Sequence, residues 1–440
     1  MIPLKLSEIA LLTGGVLHGE DVVVTGPVEY DSRKMTEGGL FVAFVGSKVD
    51  GHDFVPASAA GVLGSRTTDK PTVVVEDPRA ALGLLARAVL DRLPGLIVIG
   101  ITGSSGKTST KDMIGQLLAR IGPTIAPPGS LNNELGLPYT VLQADAETRF
   151  LVLEMGARGI GHLTYLCGIA PPRIGVVVNV GVAHLGEFGS VEAIAAAKSE
   201  LVQALPANGL AVLNGDDPLV AAMASMSEAP VELVHAGEVS LDEHARPLVH
   251  GVRLALHGAH QAGNALLAAA VARHCGLPEA ELRAALADLR PISARRMDVF
   301  DRADGVTVID DSYNANPAST AAALRALIAT AGGRRTIAVL GYHAELGKPG
   351  GDAERSGHAE VGALAATLGV DVLIAVEEAA APILEGAASV RSWEGEAVLV
   401  SDQGAATEAV RRRMRSGDVV LVKGSRYRTW DVVDDLRAAA

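Results

Sequence analysis

The chain has 440 residues, of which 48% are hydrophobic and 3% aromatic, and a formal net charge of −13. That length accommodates about two to four domains, with cores built mainly from Ala, Val and Leu. The acidic balance and the lack of a long basic run exclude nucleic acid and an anionic membrane surface as expected partners.

Residues Met1 to Glu8 lack the charged-then-apolar pattern of a signal peptide. No apolar run approaches the roughly 18 residues of a membrane span, so a cytoplasmic protein is expected. Over residues 1–93, strand-like runs at 22–24, 40–44 and 72–75 alternate with short helical patterns, a small α/β unit. A helix at 78–92 leads into Leu93-Pro94-Gly95, which reads as a linker.

The second unit, 94–292, opens on the apolar run Leu96-Ile97-Val98-Ile99, followed by Gly100-Ile101-Thr102-Gly103-Ser104-Ser105-Gly106-Lys107-Thr108-Ser109-Thr110. A buried strand, a glycine-rich turn and a helix N-terminus form a polyphosphate site, because backbone N–H groups and the helix dipole converge there. Lys107 is placed to reach β- and γ-phosphates and Thr108 to hold magnesium through its hydroxyl. The strict pattern requires glycine where Ile101 stands, so this is a variant loop, and its expected ligand is ATP or GTP. Further strands at 149–154, 175–180 and 210–213 alternate with helices, which predicts a mainly parallel sheet. Its carboxyl ends should line the ligand crevice, turning Glu154 and Asn179 toward the nucleotide. Glu154 reads equally as a ligand for a second magnesium or as a helix cap. Taken alone, His184 reads as a structural histidine and Lys198, on an amphipathic helix, as a solvated lysine. Asn214-Gly215-Asp216-Asp217-Pro218 is either a nucleotide contact or a turn in which Asp217 caps the next helix. Cys167 and Cys275, far apart and without metal-ligand spacing, argue against a disulfide framework.

The third unit, 293–440, follows Pro291 and a helix at 263–274. It begins with Arg295-Arg296, a pair suited to clamp phosphate across a cleft. Strands are predicted at 306–309, 335–340, 372–375 and 419–422. Asp310-Asp311-Ser312-Tyr313-Asn314-Ala315-Asn316-Pro317 is dense in hydrogen-bonding groups, with Pro317 suited to a first helical turn. Lys423, Ser425 and Arg426 follow the last strand, as either a carboxylate anchor or a surface turn.

Taken in order, these segments resemble the Mur ligase family, enzymes that form amide bonds at the expense of ATP during peptidoglycan assembly. The resemblance is carried by Asp31-Ser32-Arg33, Leu40-Phe41-Val42-Ala43 and Asp50-Gly51-His52-Asp53-Phe54 in the first unit. In the second it is carried by Thr102 to Ser109, Ser130 to Pro138 and Glu154 to Gly159, and in the third by Tyr313 to Pro317. The implied fold is α/β in three domains: a small N-terminal α/β domain, a central P-loop parallel sheet flanked by helices, and a C-terminal Rossmann-like domain. The implied reaction adds D-alanyl-D-alanine to UDP-N-acetylmuramoyl-tripeptide through an acyl phosphate, with ATP and Mg2+ as cofactors and a monomer as the working form.

The resemblance also implies roles. Gly103, Ser104, Ser105, Gly106, Lys107, Thr108 and Ser109 would bind the ATP phosphates, and Thr108 the first magnesium. Glu154 and His184 would serve a second metal, joined by Lys198, which many relatives carbamylate. Asn264, Arg296 and Asp311 would meet adenine, phosphate and ribose. Lys107, Lys198, His184 and Arg296 form the implied catalytic set. Ser32 and Arg33 would hold the uridine nucleotide, with Asn132 and Asn133 nearer its diphosphate. Some segments depart from the family pattern: Gly341-Tyr342-His343 stands where Gly-Glu-Met is common, and Tyr427-Arg428-Thr429-Trp430 replaces small residues. These departures leave a relative with another amine acceptor, or a non-catalytic nucleotide-binding subunit, as alternatives.

Overall fold

The computed structural model describes residues 1–181, 185–344, 346, 351–425 and 428–438. His184 and Arg426 lie outside the described residues. The fold is α/β, built on three large sheets taken from successive stretches of chain.

The first sheet has five strands in the order Val16–His18, Thr72–Val74, Ala59–Gly64, Gly39–Val42, Val28–Glu29. Its pairings are parallel except for the first. Helix Pro78–Asp91 starts where the sequence predicts, because Asp77 accepts from Arg79 N and Pro78 tolerates the missing donor of the first turn. Its buried face, Leu82, Leu85 and Val89, joins Leu137, Leu163 and Ile169 in one core, which seats the first sheet on the second unit. Tyr139 adds a polar tie, donating to Glu29 Oε1 at 2.8 Å.

The central sheet runs Val231–Val234, Leu210–Asn214, Ile174–Val177, Ile97–Thr102, Phe150–Glu154, Thr124–Ile125, all parallel. Its inner strands are almost wholly buried, as continuous apolar runs require when helices cover both faces. Strand Ile97–Thr102 lies between Phe150–Glu154 and Ile174–Val177, so Glu154 pairs with Ile101 beside the glycine-rich turn. The helix after that turn spans Lys107–Leu118, starting four residues earlier than its apolar periodicity alone marks. It packs on helix His260–His274 through Met113, Ile114 and Leu117 against Ala262, Ala265 and Ala269, small residues that let the backbones approach.

The third sheet runs Asp298–Asp301, Thr307–Asp311, Val419–Lys423, Thr336–Leu340, Val372–Val376, Glu396–Val400. The first pair is antiparallel and the others parallel. Strands Val231–Val234, Asp298–Asp301 and Glu396–Val400 escape the sequence reading. All three are sheet edges, where half-exposed polar residues break up the apolar run. Helix Pro317–Ala331 has Pro317 in its first turn, as expected for this segment, and adds a reciprocal cap between Asn316 and Ser319.

Candidate active site

A cavity of about 650 Å³ opens where the carboxyl ends of the central strands face the third sheet. Its walls include the turn Gly103–Ser109, Asn132, Glu154, Lys198, Asn264, Arg296, Asp311 and Lys423. The turn bends at Gly103 (φ 156°) and Gly106 (φ 79°). A Cβ on Gly106 would lie 2.9 Å from Asn264 Oδ1, so the glycine lets helix His260–His274 come close. Asn179 was expected to face the nucleotide. It lines the cavity, yet its Oδ1 is engaged by Ser104 N at 3.0 Å and Ser105 N at 2.9 Å, so it braces the turn. Lys107 Nζ reaches back to Gly103 O at 2.8 Å.

Glu154 ends its strand as predicted, 3% exposed, and does not cap a helix. Its Oε2 accepts from Thr108 Oγ1 at 2.8 Å, and its Oε1 from Ser130 Oγ at 2.7 Å and Asn132 Nδ2 at 2.8 Å. Burial pushes this carboxyl up, but Lys107, Ser130, Arg296 and Thr108 together outweigh it and hold Glu154 below its ordinary range. Gly156, two residues on, passes close to Asn132: its N donates to Asn132 O at 2.8 Å, and a Cβ would lie 3.0 Å from Asn132 Cγ. Ser130, to which the sequence reading assigned no role, thus belongs to the same carboxylate network. Asn133 Oδ1 accepts from Leu135 N at 3.2 Å and Gly136 N at 2.8 Å, just ahead of helix Gly136–Val141.

Lys198 corrects the residue-level reading of a solvated lysine. It is 3% exposed and lines the cavity, on a helix face whose neighbours Ile194 and Leu201 are buried. Burial, reinforced by the Lys107 ammonium, draws its pKa down to about 7. Asp217 caps helix Pro218–Ala222 through Leu219 N at 3.0 Å and also accepts from Val180 N at 2.8 Å, the turn reading, while Asp216 lines the cavity.

From the third unit, Arg296 crosses the cleft: Nη2 lies 3.3 Å from Thr108 Oγ1, and its guanidinium stacks 4.2 Å over the Tyr313 ring. Arg295 instead turns away, to Asp434 at 3.0 Å. Arg295 and Met297 hold φ values of 63° and 54°, rare for side chains with a Cβ, so opposite orientation of the two arginines is bought with backbone strain. Asp311 lines the cavity, while Asp310 binds Ser312 N and Oγ and serves the turn itself. Lys423 is 2% exposed and paired with Asp311, which corrects the surface-turn reading. Ser425 is buried, and among the described residues its Oγ has no hydrogen-bond partner.

Ser32 and Arg33 stand apart. They form a 3-10 turn, Ser32–Lys34, capped by Asp31, and neither is among the cavity walls. Arg33 pairs with Asp31 at 2.8 Å, and that contact holds the Asp31 carboxyl down to about 2.

Comparison with known proteins accords with this geometry. Residues 101–272 match the Mur ligase middle domain, 295–426 the Mur ligase glutamate ligase domain, and 26–66 the Mur ligase family catalytic domain. The UDP-N-acetylmuramoyl-tripeptide–D-alanyl-D-alanine ligase of Mycobacterium tuberculosis H37Rv is 46% identical, over 97% of this chain and 96% of that protein. The enzyme of the same name from Escherichia coli K12 is 33% identical over 86% of each. Among solved structures, MurF from Acinetobacter baumannii superposes with a TM-score of 0.87 at 29% identity, covering 99% of both chains. MurF from Thermotoga maritima in complex with ADP gives 0.79 at 28% identity, covering 95% of this chain and 99% of that one. The chain belongs to the Mur ligase family, ATP-dependent enzymes that make amide bonds.

Proposed function

We propose that this chain joins D-alanyl-D-alanine to UDP-N-acetylmuramoyl-tripeptide at the expense of ATP, in the cytoplasm and as a monomer, during peptidoglycan precursor synthesis. The observation that carries it is the 46% identity with a ligase of that name along nearly the whole chain. The three sheets support a division into a UDP-substrate unit (1–93), an ATP unit (94–292) and an acceptor unit (293–440). Among the described residues, no helix is long and apolar enough to cross a membrane.

The tripeptide carboxylate attacks the γ-phosphorus. An O–P bond forms, the β–γ bridging P–O bond breaks, and ADP leaves behind an acyl phosphate. The dipeptide amine then attacks the acyl carbon, the C–N bond forms, the C–O bond to phosphate breaks, and a proton is released from nitrogen. Lys107 and Arg296 offset the negative charge that gathers on the transferring phosphoryl group. The turn Gly103–Ser109 holds the phosphates through its N–H groups, Asn264 meets adenine and Asp311 the ribose. Since Arg296 and Asp311 come from the third unit, the site is complete only when that unit faces the phosphate turn, which also keeps water from the acyl phosphate.

Magnesium is the metal the family implies. Thr108 and Glu154 offer a hydroxyl and a carboxylate on one wall, hard oxygen donors of the kind magnesium takes together with phosphate oxygens and water. When bound, the ion would neutralise polyphosphate charge. Lys198, which lines the same cavity, would join these donors only as a carbamate, and its depressed pKa favours the neutral amine that reacts with carbon dioxide. Ser32 and Arg33 would hold the uridine end, and Ser425 with Arg426 the acceptor.

The test is direct: incubate the protein with ATP, magnesium, UDP-N-acetylmuramoyl-tripeptide and D-alanyl-D-alanine, and look by mass spectrometry for the dehydrated adduct together with ADP and phosphate. Turnover with a different amine but none with this dipeptide would reassign the acceptor.

A further inference from the structure

Lys423 and Asp311 end adjacent parallel strands and are register partners. The lysine ammonium lies 2.5 Å from Asp311 Oδ2 and donates to Asn314 O at 2.9 Å. Asp311 Oδ1 in turn accepts from Met297 N at 3.2 Å. Three stretches of chain, 295–297, 311–314 and 423, therefore converge on one carboxylate at the cavity wall. We propose that Lys423 is a positioning residue for the nucleotide, orienting Asp311 and the 311–314 turn, and does not anchor the amine acceptor. This rests on the reading of Asp311 as the ribose contact.

The chemistry of the pair argues for it. Two of the three ammonium donors are already committed, to Asp311 and to Asn314 O, and Lys423 is 2% exposed, so an acceptor carboxylate would meet an ammonium whose charge Asp311 already offsets. Without Lys423 the Asp311 carboxylate loses the ammonium that holds Oδ2, and with it the fixed orientation a ribose hydroxyl would meet. The bond to Asn314 O has a second consequence. It fixes the turn carrying Tyr313, whose ring supports the Arg296 guanidinium at 4.2 Å. Arg296 then reaches the phosphate-turn residue Thr108. One ammonium thus orders both the sugar-facing carboxylate and the support of the phosphate-facing arginine.

The experiment compares full-length Lys423→Met, Asp311→Asn and the double variant, with ATP affinity measured by calorimetry and KM for ATP and for D-alanyl-D-alanine by steady-state kinetics. Lys423→Met should weaken ATP binding by about tenfold while the dipeptide KM stays within about twofold. The double variant should lose less ATP affinity than the two single losses combined, since both changes break the Lys423–Asp311 pair while the bond to Asn314 O is lost only with the lysine. A raised dipeptide KM with unchanged ATP affinity, or fully additive ATP losses, would overturn the proposal. Wild-type ATP affinity in Asp311→Asn would instead remove the ribose role of Asp311, and the role of Lys423 with it. If Lys423→Met melts below the assay temperature, Lys423→Gln, whose amide can still donate, is judged by the same criterion of additivity with Asp311→Asn.

Discussion

Thr108 and Glu154, forty-six residues apart in sequence, are joined by a 2.8 Å hydrogen bond from hydroxyl to carboxylate at the cavity wall. The carboxylate stays ionised although 3% exposed, because Lys107, Arg296 and two hydroxyls surround it. Glu154→Gln keeps the shape and removes the charge. Turnover should fall by about 10²–10³-fold with a raised magnesium requirement. Titrating magnesium against ADP release checks this, and an unaltered magnesium curve would leave Glu154 a purely structural residue.

Lys107→Ala should abolish ADP release, a loss of at least about 10³-fold, while the melting temperature moves little. In the structure Lys107 Nζ already sits at the turn, on Gly103 O. Sustained ADP production by the purified variant would remove the lysine from the mechanism.

Lys198→Ala should lose most activity, and short carboxylic acids added to the assay should restore part of it if a carbamate is the working form. The motivation is a buried lysine whose pKa burial and Lys107 bring down to about 7, where neutral amine is abundant. Normal rates in the variant would return Lys198 to a packing role.

The stacked imidazoles of His343 and His358, 4.7 Å apart, predict an acid limit to stability. Burial holds both below the usual value of 6.5, and for His343 the neighbouring His358 and Lys423 add to it. The unfolded chain therefore binds more protons than the folded one below about pH 6.5, and stability falls as pH drops through that range. His343→Met should make the fall shallower. Denaturant unfolding between pH 7.5 and pH 5.0, on the order of one transition per half unit, measures it. Parallel pH curves for the two proteins would exclude His343 as a source.

Much of the central unit is legible because its signals are local. Glycine, serine and lysine between an apolar run and a helix define the phosphate turn before any neighbour is known, and Glu154 follows from the end of a buried strand. Asp217 and Pro317 are legible for the same reason, since a helix start is decided within about four residues. Lys198 is not. Its helix face reads as ordinary amphipathic sequence, and only the seating of that helix against strands Ile97–Thr102 and Ile174–Val177 makes the lysine a buried one. Asn179 lies two residues past the strand end at Val177, short of the strand 175–180 that the apolar run predicts, and which partner takes its amide depends on the turn laid beside it.

From its residues alone, the chain determined its α/β alternation and the polyphosphate turn, because strand period, turn chemistry and helix capping are written within short windows; the ATP-using ligase family was implied by the resemblance of its ordered motifs. The tertiary structure alone decided that Arg296 faces Thr108 while Arg295 faces away, that Lys423 pairs with Asp311, and that Lys198 is desolvated. Each of these sets groups tens to hundreds of residues apart within a few ångströms, and the resulting electrostatics belong to the packed units together.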